Sequence, residues 1–455
     1  MAFIVAFLVF LSLIIFNARG DSLSFRNIVS SIAAGAGVWL VLTLAAAAGF
    51  SLMVTAPLVV LAMLLSAVVS ARETDDTHRR GGKLVDAPTL KKMSRQEDPK
   101  AEIFLGGVGI PRDKENRHFL LAGATGAGKS QAFYAVVQAA RARGDGGVVA
   151  DINAELLSRV YDSTRDVILN PIDTRSAAWS PLAELTGEWD ADRVAKSIVP
   201  EGVGDSKEWN HYAQQILSAL LFKVWSANGT NRDLLQIILR SGNEEFSQAL
   251  AGTNAAQFTG AGAERMLGSI RAILSSFCSF LPYLPPRAGR DGFSITRWVQ
   301  NEAREKAGGW IFFPVRDDFF KFFRSLVAAQ ADIAISALLS SEDDEKRRVW
   351  FFIDEFASWG KISSVDALLT KARKKGGVGV LGVQTIAQLR EAYGREGAQT
   401  LLANLGTWLT LRAGDAETAD FMSKNLGDEE VRRVNQTSGT SGKSRAEQIA
   451  TQRVV

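Results

Sequence analysis

The residues able to do chemistry gather in one stretch, His118 to Gln131, which reads HFLLAGATGAGKSQ. Within it Gly123–Ser130 satisfies G-x-x-x-x-G-K-[ST] at every fixed position. The apolar run Phe119–Ala122 before it predicts a strand, and Gln131–Arg143 after it carries apolar residues at helical spacing. A glycine-rich turn between strand and helix leaves backbone N–H groups free at the positive end of a helix dipole, and phosphate binds there. Gly123, Ala124, Thr125, Gly126, Ala127, Gly128, Lys129, Ser130 and Gln131 are therefore the candidate cradle for ATP. Lys129 is expected to reach the β- and γ-phosphates, and the Ser130 hydroxyl to help hold Mg²⁺.

A second chemical word is RVWFFIDE, Arg348–Glu355, a hydrophobic strand closed by two carboxylates. Beside a phosphate cradle, the first acid, Asp354, supports Mg²⁺, and the second, Glu355, orients or polarises the attacking water. Gln384 ends the next apolar run, Val378–Gln384, where its amide would lie beside the γ-phosphate or simply cap a strand. Between the two runs lies a basic turn, Lys371–Gly377. A guanidinium supplied by a neighbouring subunit could stabilise phosphoryl transfer, with Arg373 the first candidate and Arg117 the second. A solvated basic loop is the alternative for each. Three histidines (His78, His118, His211) and one cysteine, Cys278, form no zinc-type cluster and exclude an intrachain disulfide framework.

These residues need a scaffold. Gly147–Asp151 and Val167–Asp173 read as further strands after the cradle helix. From about Pro181 to Val299 the strand pattern gives way to helical periodicity, as in Asn210–Trp225 and Ala263–Phe280. Strands resume at Gly309–Pro314, Arg348–Glu355, Val378–Gln384 and Trp408–Arg412. Alternating strands and helices imply a parallel α/β sheet with ligands at the carboxyl ends of its strands, interrupted by an all-helical insertion. Ala101–Pro111 reads as a short hairpin, and the charged run Glu342–Arg348 as a solvated surface turn.

The 455 residues carry a net charge of +3, too small to argue for nucleic acid by itself. Average hydrophobicity is ordinary, at 47%, but it is unevenly spread. Ala2–Phe16 is an uncharged apolar run without the basic start of a signal peptide, and Ile28–Ala71 has no charged residue. These predict two or three membrane spans. Arg72, Arg79, Arg80 and Lys83 follow directly and put the rest of the chain in the cytosol by the positive-inside rule. Glu73–Lys100 reads as a polar linker, and Asn435–Arg445, rich in Ser, Gly and Thr, as a mobile tail. Its Gly442-Lys-Ser444 lacks both the first glycine and a preceding strand, so it is not a second cradle.

Several longer pieces resemble one family: HFLLAGATGAGKS (118–130), VVADINAE (148–155), VILNPIDTRSAAWSPL (167–182), RRVWFFIDEFASWGKI (347–362), LLTKARKKGGVGVLGVQTIAQLREAYG (368–394) and GTWLTLRAGDAETADF (406–421). They are similar to the TraD/TrwB-type coupling proteins, the inner-membrane ATPases of conjugative type IV secretion systems. The resemblance covers nearly the whole chain. It implies a RecA-like P-loop NTPase domain with an inserted all-α domain and an N-terminal transmembrane helical anchor. It also implies ring hexamers that bring single-stranded DNA with its relaxase to the secretion channel, together with relaxosome accessory proteins.

On this reading the chain divides into an anchor in the lipid bilayer (1–71), a linker (72–100), a first motor segment (101–180), the all-α insertion (181–299) and a second motor segment (300–455). The polar stretch between the first two apolar segments is short, so any periplasmic domain is expected to be small or absent. The chain stops at Val455. Family members usually continue into another strand and often a C-terminal extension, so the second motor segment is expected to be truncated. The leading expectation is an ATP-driven DNA-translocating motor at the bacterial inner membrane. One alternative is a membrane receptor that docks protein substrates, with nucleotide as an assembly switch. The other is a DNA translocase of the related FtsK/HerA type, which the LNP-D-R-AAW segment disfavours.

Overall fold

The computed structural model describes residues 77–81, 83–202, 204–260, 262–302, 308–426, 428–439 and 442–453. The expected anchor, residues 1–71, lies outside the described residues. The described chain falls into two compact units, one from Leu84 to Leu426 and one formed by segments before and after it.

The smaller unit is an antiparallel sheet of β1 (Thr77–Gly81), β11 (Asp428–Gly439) and β12 (Gly442–Arg453) in the order β1-β11-β12. Within the stretch Asn435–Arg445, expected as a mobile tail, residues 435–439 and 442–445 instead belong to the paired strands β11 and β12, with Asn435 opposite Ala446 and Gly439 opposite Gly442. Ser- and Gly-rich composition disfavours a packed core, but ladder hydrogen bonds come from the backbone and need no apolar side chain. The stretch read as a linker likewise contains β1 and a helix, α1 (Ala87–Glu97), which Asp86 caps by accepting from the Thr89 N–H.

The larger unit is built on a seven-stranded sheet, every adjacent pair parallel, in the order β10-β4-β9-β8-β5-β7-β6. Its strands are β4 (Phe119–Ala122), β5 (Gly146–Ile152), β6 (Val167–Ile168), β7 (Trp310–Val315), β8 (Val349–Ile353), β9 (Gly377–Val383) and β10 (Thr407–Thr410). The hairpin of β2 (Ile103–Leu105) and β3 (Val108–Ile110) precedes them. Strands β4, β7, β8 and β9 are buried along their whole length, as the continuous apolar runs of a sheet covered on both faces require. Alternation sorts the two faces: Phe119, Leu121, Phe312 and Phe352 meet the cradle helix α2 (Lys129–Ala142). Leu120, Ala122, Phe313 and Phe351 share the opposite face with the other helices.

Between β6 and β7 the chain is helical, with α3 (Glu188–Ile198), α4 (Ser206–Ser226) and α5 (Glu264–Phe277) its longest members. The LNP-D-R-AAW segment builds the neck of this insertion. Trp179 pairs with Phe293 in an isolated bridge, and the Trp179 indole N–H donates to Glu184 at 2.8 Å. The buried Glu184 carboxylate also accepts the Ile295 and Thr296 N–H groups, at 2.7 and 2.9 Å, where the insertion returns.

After β7 comes α6 (Phe320–Leu339), then α7 (Val365–Lys371), α8 (Ile386–Ala403) and α9 (Ala416–Leu426). Asp317–Leu339 is, among the described residues, the one helix long and apolar enough to cross a bilayer, but it lies mostly inside the protein against the sheet. The run Glu342–Arg348, expected to be solvated, ends inside. Arg348 is buried and donates to the fully buried Glu115 at 3.0 Å. Arg143 donates to the same carboxylate at 2.7 and 3.0 Å and to Asp145 at 2.6 Å, and the Trp350 indole N–H reaches Asp145 at 2.9 Å.

Candidate functional site

Parallel strands deliver all their carboxyl ends to one edge of the sheet, and β4, β9 and β8 deliver three of the expected groups side by side. The turn Gly123–Gly128 leaves β4 and enters α2. Gly123 N–H donates to Val383 O at 3.1 Å and Ala124 N–H to Arg412 O at 2.8 Å, so both flanks of the turn are tied to neighbouring elements. Gly126 and Gly128 have φ of +74° and +104°, a region that side-chain-bearing residues rarely take, and nothing lies within 4 Å of where a Cβ would point. Gly128 is the N-cap of α2 and offers no side chain to the helix start. The first amides of α2 are left for an external acceptor, which fits phosphate.

Lys129 is buried, and its ammonium donates to Gly123 O at 2.8 Å and lies 3.4 Å from Glu355 Oε1. Gln384, one residue beyond β9, donates its amide N–H to the same Glu355 oxygen at 2.8 Å. Two sequence-predicted residues thus converge on one carboxylate oxygen of a third. Glu355 takes φ of +48°, left-handed for a residue with a side chain, two residues after the end of the buried β8. Its N–H is fixed by Asp354 Oδ1 at 2.8 Å. Burial, followed by the adjacent Glu355 charge, pushes the Asp354 carboxyl up to about 6. Such a carboxyl favours the arrival of a cation.

Among the described residues no group of three His, Cys, Asp or Glu side chains forms a metal cage. Mg²⁺ does not need one, since it usually keeps water and takes phosphate oxygens with one or two protein ligands. The half-buried Ser130 on the first turn of α2, together with Asp354, is a donor set of that kind. Ala124, Thr125, Ala127 and Gln131 lie in the same turn and first helical turn, and Gln131 accepts from Arg159 at 3.4 Å.

The two arginines stand elsewhere. Arg117 precedes β4 and Arg373 precedes β9, so both are at the amino edge of the parallel sheet, exposed, and across its full width from the cradle of their own chain.

Two features were missed. Gly382 in β9 lies beside Asp354 because Leu381 is in register with Ile353, and a Cβ there would sit 2.5 Å from Asp354 Oδ1 and 2.9 Å from the Phe133 ring. No local motif announces this; it follows from strand order. The second is the turn after β5. Asp151, the last residue of the run read as a strand from Gly147, is buried, accepts the Leu157 N–H at 2.8 Å, and is pushed up to about 7 by burial. Asn153 and Ala154 after it are both left-handed, with φ of +60° and +55°. Asn153 is clamped to Asp317 by two hydrogen bonds of 3.1 Å.

Comparison with known proteins gives the geometry its kin. Residues 102–454 match the family described as the type IV secretion-system coupling protein DNA-binding domain. The chain is 30% identical to the coupling protein TraD of Escherichia coli K12 over 355 residues, which is 77% of this chain and 49% of TraD. A stretch of 115 residues, 25% of this chain, is 31% identical to the conjugal transfer protein TraG of Agrobacterium fabrum and spans 18% of it. The chain therefore spans about half the length of TraD and less of TraG. Among solved structures, the bacterial conjugative coupling protein TrwB lacking its first 70 residues superposes with a TM-score of 0.75 at 34% identity, covering 83% of this chain and 87% of that one. TrwB in complex with ADP and Mg²⁺ gives 0.72 at 33% identity, covering 81% and 86%.

Proposed function

The chain belongs to the type IV secretion-system coupling proteins, and from that membership we propose that it is a membrane-anchored ATPase driving relaxase-bound single-stranded DNA into a secretion channel. The observation that carries the reading is the meeting of Lys129, Glu355 and Gln384 at one end of the sheet. The amides of the cradle and Lys129 bind the β- and γ-phosphates of ATP. Ser130 and Asp354 hold Mg²⁺, which when bound neutralises charge on the phosphate oxygens. The solved TrwB complex with ADP and Mg²⁺ supports both cofactors.

A γ-phosphate competes with Glu355 for Lys129. Once it has drawn the ammonium away, the carboxylate is free to orient water and accept its proton, with Gln384 keeping the carboxylate in place. Arg373, with Arg117 second, supplies the transition-state guanidinium to a neighbour's site in a homohexameric ring. Their position at the far edge of their own sheet supports action between subunits rather than within one. The proposed division is an anchor at 1–71, a link at 72–100, motor segments at 101–180 and 300–455, and the helical insertion at 181–299. The anchor sets the motor on the cytosolic side of the bacterial inner membrane, facing the secretion channel and relaxosome accessory proteins.

The test is ATP hydrolysis by the full chain in membranes, with and without single-stranded DNA, over a salt series. Stimulation that fades as salt rises is expected of a motor gripping the phosphate backbone, and Lys129→Ala should abolish turnover. Hydrolysis by the assembled ring that ignores DNA would sink the motor reading. It would favour a receptor for protein substrates, in which Lys129→Ala leaves docking intact.

A further inference from the structure

Helix α6 carries a carboxylate in its buried face. Asp332 is 4% exposed, and each of its oxygens is held by a serine from a different element. The Ser197 hydroxyl, in the last turn of α3, donates to Oδ2 at 2.6 Å. The Ser364 N–H and hydroxyl, just before α7, donate to Oδ1 at 2.6 and 2.7 Å. Burying an ionisable group costs several kcal/mol unless its hydrogen bonds are made, and an apolar residue would pack this helix without that demand. What the carboxylate adds is a fixed relation between three elements.

One of those elements begins at the hydrolytic site. The arm from Glu355 to Ser364 runs through a short helical turn, Phe356–Trp359, whose two end residues are buried. The Trp359 indole N–H donates to Asp354 O at 2.8 Å, Phe356 stacks on Tyr393 with centroids 5.1 Å apart, and the Ile362 N–H donates to the Tyr393 hydroxyl at 3.0 Å. Bonded at these points, the arm is a stiff connection whose far end is the serine bound to Asp332.

We infer that Asp332 is a positioning residue that couples Glu355 to the helical insertion, holding the end of the Glu355 arm through Ser364 and the last turn of α3 through Ser197. The inference rests on the nucleotide-binding reading above. Capture of Lys129 by a γ-phosphate leaves the Glu355 carboxylate on Gln384 alone, and the changed load passes along the arm to the hold on α3 through a single carboxylate.

Hydrogen exchange on the full chain, with and without Mg²⁺ and a non-hydrolysable ATP analogue, tests this without requiring turnover or DNA. In the wild type, protection is expected at amides 124–131, with a change of about fivefold or more at 188–198. Ser197→Ala should keep the first response and lose the second, and Ser197→Thr, which keeps the hydroxyl, should restore it. Asp332→Asn should behave as Ser197→Ala wherever it folds. A Ser197→Ala protein that retains the 188–198 response overturns the coupling. So does a wild type that protects 124–131 while 188–198 stays unchanged, and both results leave the nucleotide-binding reading standing. No response at 124–131 overturns that reading and the coupling together.

Discussion

Glu355 holds a left-handed backbone at the end of a buried strand, a conformation that costs about 1 kcal/mol or more for a residue with a side chain. Its surroundings pin it there: Asp354 on its N–H, and Lys129 and Gln384 on one oxygen. Glu355→Gln should therefore bind ATP normally and slow steady-state hydrolysis by a factor of about 10² or more. Gly382→Ala brings a methyl against Asp354 and Phe133. Titration with a fluorescent ATP analogue should show affinity falling about tenfold with Mg²⁺ present and little without it. His118 supplies a pH test. Its buried ring accepts the Gly379 N–H at 3.0 Å, and burial depresses it from 6.5 to about 4. The unfolded chain takes up this proton first, so the contribution of His118 is full above pH 6.5 and is lost as pH drops toward 4, while the raised Asp151 and Asp354 carboxyls shift stability the opposite way. The loss is about 3 kcal/mol at most, and denaturant unfolding should find it as a wild-type stability that declines relative to His118→Gln over that range. Cradle and paired acids were legible because each is a short local word. Gly382 was not, because its role depends on which strand lies beside which.

Among elements, the amino edge of the sheet is tied together by buried ion pairs. Glu115 receives two guanidiniums, Arg143 from the end of α2 and Arg348 from the start of β8. Removing its charge leaves Arg348 buried without its carboxylate and Arg143 with Asp145 in place of two acids. Glu115→Gln should cost about 3–5 kcal/mol and lower Tm by several degrees, while Glu102→Gln, an exposed carboxylate paired at 4.0 Å with the exposed Arg112, should stay within about 0.5 kcal/mol. Periodicity identified the strands of the sheet because continuous apolar runs are what burial on both faces demands. It could not see that Arg348, at the end of a charged run, meets a carboxylate 233 residues earlier. Strand order was equally hidden. That β9 enters between β4 and β8 is a fact of topology, and it explains why Gln384 reaches Glu355.

At the scale of the assembly, the proposed ring makes a mixing prediction. Glu355→Gln subunits lack a working carboxylate, and Arg373→Ala subunits lack the guanidinium offered to a neighbour. Each homomer should be nearly inactive, and mixed rings should recover hydrolysis, because an intact site forms wherever the neighbours complement one another. Recovery no greater than the sum of the separate proteins would remove Arg373 from that role. Strand β9 joins the two tasks. Its seven buried residues, about 20 Å of extended chain, run from the basic turn that carries Arg373 to Gln384 beside Glu355. An extended strand hydrogen-bonded on both sides resists stretching, so a displacement at one end arrives at the other. In the proposed ring, where Arg373 would reach into the next subunit, β9 would work as a push-rod between two combustion chambers, one ahead of it and one behind. Firing in one chamber would then set the timing of the next, and such a ring would run as a sequence rather than as independent engines.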